Sequence, residues 1–301
     1  MDRVKRLIHC ERAYKAGLSG KRVTVAVMDT GAAPHPDFFN RIVAFRDFCG
    51  KRISMYDDNG HGTHVAGIIG GNGSRSKDDR GRYRYAGIAP KVEYVILKVL
   101  DQKGNGVTSH VLEGVDWLLH NREKYGIRIL NISVGMLPSA GKIEREALLY
   151  AVDAVWDSGI AVISAAGNNG PGENTVTIPG ISRKVITVGS LDDEVVPTER
   201  AGKLMKGYTG FGPTECCIVK PEILAPGTNI TSCAKDETYT VKSGTSMAAP
   251  VVSGALALAL ERHPDWLPAD LKLRLYESAY PRGEQIGRNC WGILHTDNLI
   301  Q

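Results

Sequence analysis

The sequence predicts an α/β fold: a doubly wound, mostly parallel sheet with helices on both faces. Two observations predict it. First, five short runs rich in Val and Ile are nearly continuous in apolar residues: VTVAVM (23–28), VEYVILKVL (92–100), IRILNISV (127–134), IAVISAA (160–166) and KVITVGS (184–190). Strands buried on both faces have this character. Second, segments of helical period lie between them. Val111, Leu112, Val115, Leu118 and Leu119 form one stripe, and Ala147, Leu148, Ala151, Val152 and Val155 another. Gly126 and Gly159 supply stop signals after these helices. Such alternation implies right-handed crossovers and an open sheet. Ligands of such sheets bind at the carboxyl ends of the strands.

The strand ends therefore carry the functional reading, in chain order. VTVAVM runs into Asp29-Thr30-Gly31, which places a carboxylate at the sheet edge. Alone, Asp29 better fits a turn that bonds its own backbone. DDNGHGTHVAGIIGG (57–71) starts a helix near His61. His61 and His64 have the spacing of metal ligands, but the zinc-peptidase helix needs H-E-x-x-H and no glutamate intervenes. The other reading makes one His a base and packs the second under the helix. ISAAGNNG (163–170) breaks at Gly167. Its Asn168 suits a tight turn and also suits donation to a developing oxyanion. SGTSMAAPVVSG (243–254) places Ser246 at a helix start, where free N–H groups and the dipole favour negative charge. A capping Ser explains the position as well. Gly244, Ala248 and Ala249 leave room around the hydroxyl, and Pro250 is expected in the first helical turn. Together, a nucleophile, a base, a carboxylate and an oxyanion donor on one sheet edge are the parts of an acyl-transfer site.

Bulk properties exclude other classes. The 301 residues are 43% hydrophobic and 23% charged, which excludes disordered and fibrous chains. A net charge of +4 is too small to argue for nucleic acid or a membrane surface, and Arg80-Gly81-Arg82-Tyr83-Arg84 reads as a solvated loop. No apolar run is long enough to span a bilayer. Cys10, Cys49, Cys216, Cys217, Cys233 and Cys290 show no zinc spacing, and the adjacent pair suits free thiols of a reducing compartment. LSGKRVTV lacks phosphate-loop spacing, which argues against a nucleotide-binding protein.

Three motifs resemble those of the subtilisin-like serine peptidases, the subtilase family. They are VAVMDTGAAPHPDF around Asp29, NGHGTHVAGIIGG around His61 and SGTSMAAPVVSGALAL around Ser246. AAGNNG and KPEILAPGTNI (220–230) match as well. The order Asp, His, Ser along the chain is that of subtilisin. The resemblance runs from about Ala13 nearly to the end, and implies one peptidase domain over 1–301 with a subtilisin-like fold. It implies that Asp29 orients His61, that His61 is the base, that Ser246 attacks the peptide carbonyl, and that Asn168 and the Ser246 N–H hold the oxyanion. His64 matches a structural position. Ser133, Val134 and Gly135 match the lining of the primary specificity pocket, Thr177 its base, and Gly104, Asn105 and Gly106 the edge that pairs with a polypeptide substrate. No Asp or Glu matches the pocket, so uncharged or apolar residues are expected before the cleaved bond. With the complete set of active-site residues, an active peptidase is expected in place of a pseudopeptidase kept for binding.

The chain departs from the family in places. It has no room for a pro-segment before the first strand and begins with Met without an export signal. A cytoplasmic protein similar to intracellular bacterial forms is expected, with the mature form of a secreted enzyme as the alternative. The chemistry requires no cofactor. Family members commonly bind structural Ca²⁺, and Asp37 matches a frequent ligand. The partner loop, 71–86, is longer and basic, which opposes such a site even with Asp78 and Asp79 in it. The segment 196–217 is longer than the motifs around it require.

Overall fold

This computed structural model describes residues 1–50, 52–133, 135, 141–194, 206–214, 218–281 and 290–301, and ten strands and eight α-helices follow one another among the described residues. The strands are β1 (Thr24–Asp29), β2 (Ile42–Asp47), β3 (Glu93–Lys98), β4 (Ile127–Ile132), β5 (Ala161–Ala165), β6 (Ile186–Ser190), β7 (Ile223–Ala225), β8 (Ile230–Cys233), β9 (Tyr239–Lys242) and β10 (Gly292–Ile293). The helices are α1 (Asp2–Leu7), α2 (Glu11–Lys15), α3 (His61–Gly70), α4 (Thr108–Asn121), α5 (Lys142–Asp157), α6 (Thr245–Arg262), α7 (Pro268–Ser278) and α8 (Thr296–Leu299).

The main sheet has the order β10-β7-β6-β5-β4-β1-β3-β2. Every pairing in it is parallel. The β8–β9 hairpin stands apart as an antiparallel pair. All six residues of β1 are buried. Successive side chains of a strand point to opposite faces, and β1 follows this rule. Val25 and Val27 join α3 and α6 in one core, while Ala26 and Met28 join α4 and α5 in the other. The apolar stripes expected on α4 and α5 are the ones buried: Val115 and Leu118 on the first, Leu148, Ala151, Val152 and Val155 on the second. Gly159, in the left-handed conformation with φ 93°, ends α5 as expected.

Helix α6 is apolar all round, and only Ser246, Glu261 and Arg262 escape full burial. It packs against β4, β5, β6, β7 and α3. The chain ends are tied to the same core. Asp297 accepts the N–H groups of Arg12 (3.0 Å) and Ala13 (2.9 Å), capping α2 from the far end of the chain. Glu261, near the end of α6, accepts those of Ser19 and Gly20 at 2.6 Å each, just before β1.

The chain builds β2 and β3 on one side of β1, then crosses to build β4 through β7 on the other. The winding direction therefore reverses between β1 and β4. A crevice forms at such a reversal, outside the carboxyl ends of the strands.

Candidate active site

Asp29 is the last residue of β1 and His61 the first of α3. Their approach depends on Gly62. A Cβ there would lie 2.1 Å from the Gly31 carbonyl oxygen and 3.2 Å from Asp29 Cβ. Any side chain would push α3 off the strand end. His61 Nδ1 lies 2.8 Å from Asp29 Oδ1 and 2.9 Å from Oδ2. The Asp29 side chain is fully buried, while that of His61 is 24% exposed. Asp29 Oδ1 also accepts the Thr30 N–H at 2.7 Å. Burial disfavours a proton on His61, but the charge and hydrogen bond of Asp29 outweigh it, so the pKa lies above its ordinary value. A carboxylate facing Nδ1 requires the proton there, which leaves Nε2 as the free acceptor.

Asp57 fixes the start of α3. Its Oδ1 accepts from Gly60 N (2.7 Å), Thr30 Oγ1 (2.9 Å) and Asn59 N (3.1 Å). Its Oδ2 accepts from Thr63 Oγ1 (2.7 Å) and Thr63 N (2.9 Å). Gly62 N in turn donates to Thr30 Oγ1 at 2.9 Å. The first N–H groups of the helix are thus bonded to Asn59, Thr30 and Asp57, and Asp57 is itself bonded to Thr30, so His61 is registered on Asp29. Buried Lys98 braces the neighbouring strand end. Its Nζ donates to the Thr30 and Leu100 carbonyls at 2.7 Å each and pairs with Asp58 at 2.8 Å.

His64 has a separate role. Its Nε2 donates between the Ile230 and Thr240 carbonyls at 3.1 and 3.2 Å. Burial, with Lys242 and His61 adding, pushes its pKa down to about 3. The ring is a neutral strut under β8 and β9, and the two histidines do not converge on a common ligand.

Ser246 is the second residue of α6. Its hydroxyl donates to the Ser133 carbonyl at 2.7 Å, and among the described residues no hydrogen bond joins it to His61. Thr245 N donates to Asn168 Oδ1 (3.0 Å) and Met247 N to Gly244 O (2.9 Å). Between them, the Ser246 N–H has no partner among the described residues. Thr245 Oγ1 also donates to Asn168 Oδ1, at 3.1 Å. A backbone N–H only donates, so the atom it meets is the amide oxygen, and Asn168 Nδ2 is left for the cleft. Two free donors therefore stand beside the hydroxyl.

Pro250 differs from expectation. Because α6 begins at Thr245, Pro250 lies in its second turn. Its missing N–H is the one that would bond the Ser246 carbonyl, so the helix has no i→i−4 bond there.

The cleft, about 430 Å³, is lined by Thr30, Asn59, His61, Ser133, Gly135, Asn168, Thr177 and Ser246, among others. Gly104 lines it too and is shared with an adjoining apolar pocket of about 290 Å³. Asn105, Gly106 and Gly135 line that pocket with Leu100, Val107, Ile132 and Leu148. Among the described lining residues of the cleft there is no Asp or Glu, and Lys103 is its one Lys or Arg. Val134 lies outside the described residues, as do Cys216, Cys217 and most of 196–217. The sequence reading missed Asp57, Lys98 and the apolar pocket. The signal for Asp57 was present, since a carboxylate just ahead of a helix can accept its first N–H groups.

The profile of the subtilase family matches residues 20–293. The chain is 39% identical over 292 residues to the serine protease AprX of Bacillus subtilis (strain 168), covering 90% of this chain and 65% of that protein. It therefore spans just under two thirds of that relative. Subtilisin DY of Bacillus licheniformis is 33% identical over 281 residues, 92% of this chain and 91% of its own. The crystal structure of a cold-adapted subtilisin-like serine proteinase superposes with a TM-score of 0.74 at 32% identity, covering 93% of this chain and 90% of that one.

Proposed function

The chain belongs to the subtilase family of serine endopeptidases, and from that premise we propose that Asp29, His61, Ser246 and Asn168 cleave polypeptides through an acyl-enzyme. The observation that carries the proposal is the orientation of His61. Its Nδ1 is taken by buried Asp29, so Nε2 is left for the cleft that Ser246 also lines.

The steps follow from this geometry. A bound peptide replaces the hydroxyl at the Ser133 carbonyl, and Ser246 Oγ turns to His61 Nε2. As Oγ attacks the scissile carbonyl, its proton passes to Nε2, and Asp29 stabilises the imidazolium. The carbonyl oxygen becomes an oxyanion between the Ser246 N–H and Asn168 Nδ2. His61 then gives the proton to the leaving amine. Water, activated by the same ring, hydrolyses the ester and regenerates Ser246. In subtilisin itself, loss of the oxyanion Asn costs about 100- to 1,000-fold in rate.

A peptidyl phosphonate tests the nucleophile. It is expected to phosphonylate the wild-type chain, which gains the reagent's mass less that of the phenol it releases, and not Ser246→Ala. A folded wild type that takes no label would favour the pseudopeptidase. The lining supports uncharged or apolar residues before the cleaved bond, since no described carboxylate faces the cleft. The apolar pocket beside Gly104 supports an apolar residue further along the substrate. Peptide panels varied at each position are expected to show both preferences. A strict requirement for Arg or Lys before the cut would contradict the assignment.

A further inference from the structure

The loop between α3 and β3 is where a structural calcium would be sought, with Asp37 as its carboxylate ligand. Asp37 is fully buried. Its Oδ1 accepts from Ser74 Oγ (2.9 Å) and Arg75 N (3.3 Å). Its Oδ2 accepts from Tyr239 OH (2.8 Å) and Cys233 Sγ (3.5 Å). Asn72 N donates to its backbone carbonyl at 3.0 Å. The loop thus turns donors towards Asp37. A calcium ion requires the reverse, six or more oxygen acceptors converging on one point. Asp78, further along the loop, is also engaged, with Arg80 N at 3.0 Å and Arg82 N and Nε at 2.9 Å each.

A softer ion does not fit better. His35, Asp37 and Cys233 offer an imidazole, a carboxylate and a thiol within 4.8 Å of one another. However, His35 Nδ1 already accepts the Asp37 N–H at 3.2 Å. The Cys233 thiol in turn donates to Asp37 Oδ2, so both side chains already point a hydrogen-bond partner at the carboxylate's own segment and not at a shared open position.

The positive charge comes from the chain. The Arg41 guanidinium donates to the carbonyls of Val92 (2.6 Å), Asp37 (2.7 Å) and Gly70 (2.7 Å). Gly70 is the last residue of α3, so a fixed cation sits at the negative end of that helix. The same guanidinium stacks 5.6 Å from the Tyr94 ring centroid. Carbonyls from three separate segments therefore converge on one side chain.

We propose that Arg41 and the donors around Asp37 form a metal-independent brace, with a tethered guanidinium holding α3 and its loop where relatives use calcium. The brace secures the far end of the helix that begins with His61.

The test uses the full chain with Ser246→Ala, to prevent self-digestion. Its Tm is expected to agree within about 1 °C between excess EGTA and millimolar Ca²⁺, because a ligand that does not bind cannot stabilise. A fall of about 5 °C or more in EGTA, recovered with Ca²⁺, overturns the proposal. Terbium reads the site independently of stability. An ion beside Asp37 would be excited through Tyr239, whose hydroxyl contacts that carboxylate. No sensitised emission is expected, and emission that Asp37→Asn abolishes overturns the proposal. Adding Arg41→Met is expected to lower Tm by about 5 °C or more in both buffers, with Arg41→Lys between the two. An unchanged Tm overturns the brace. If Arg41→Met does not fold, the Arg41→Lys comparison and the terbium measurement still decide.

Discussion

In the proposed mechanism His61 is the residue on which the chemistry turns, and its surroundings predict a pH dependence. The ring is a base only when neutral, so kcat/KM should rise as pH passes its pKa. Asp29 raises that pKa above the ordinary 6.5. The acid limb of the profile is therefore expected to have its midpoint above that value. Asp29→Asn removes the charge that favours the imidazolium, so the midpoint should move down while the rate falls about 10⁴-fold, as it does in a comparable triad. A midpoint unmoved by Asp29→Asn would show that another group sets the limb. The resting position of Ser246 adds to this picture. Its hydroxyl is held on the Ser133 carbonyl, so the His61–Ser246 bond must form during binding, as happens in many unliganded hydrolytic sites.

At the scale of elements, Asp57 decides how α3 meets β1. Its carboxylate accepts from Gly60, Thr63, Asn59 and Thr30. Asp57→Ala leaves buried N–H groups without partners, at about 1–3 kcal/mol, and loosens the His61 register. Tm is expected to fall by about 5 °C and kcat to fall more than KM changes, with the acid-limb midpoint moving down by less than in Asp29→Asn, because the Asp57 charge also raises the His61 pKa but ranks below that of Asp29. A kinetic profile equal to wild type would reduce Asp57 to a purely stabilising residue. The contrast shows what was legible in the sequence. Five of the ten described strands and the α4 and α5 stripes could be read because apolar runs and helical period are local. Asp29, His61, Asn168 and Ser246 could be read because each sits in a short motif. The five bonds of Asp57 and the three carbonyls of Arg41 could not, since they join segments far apart in the chain. Pro250 was misplaced by one turn because a helix boundary depends on the cap geometry at Gly244.

At the scale of the whole molecule, the strand order was the least legible feature. Nothing local in VTVAVM states that β1 lies between β3 and β4, yet that position creates the crevice. The most consequential feature at this scale is α6. Its second residue is Ser246, and most of its length is the centre of a core shared by the sheet, α3 and both chain ends. The head of such a helix cannot be loosened while its body stays packed. Thermal loss of activity, followed in short heat pulses at low concentration, is therefore expected to share one midpoint with loss of helical circular dichroism. A clearly lower midpoint for activity would mean that the head frays alone. With Ser246 as the proposed nucleophile, coupling of this kind would act as a safeguard during biogenesis. A nascent or half-collapsed chain would hold no anchored Ser246, so the capacity to cut polypeptides would arise only once the molecule that carries it has finished folding.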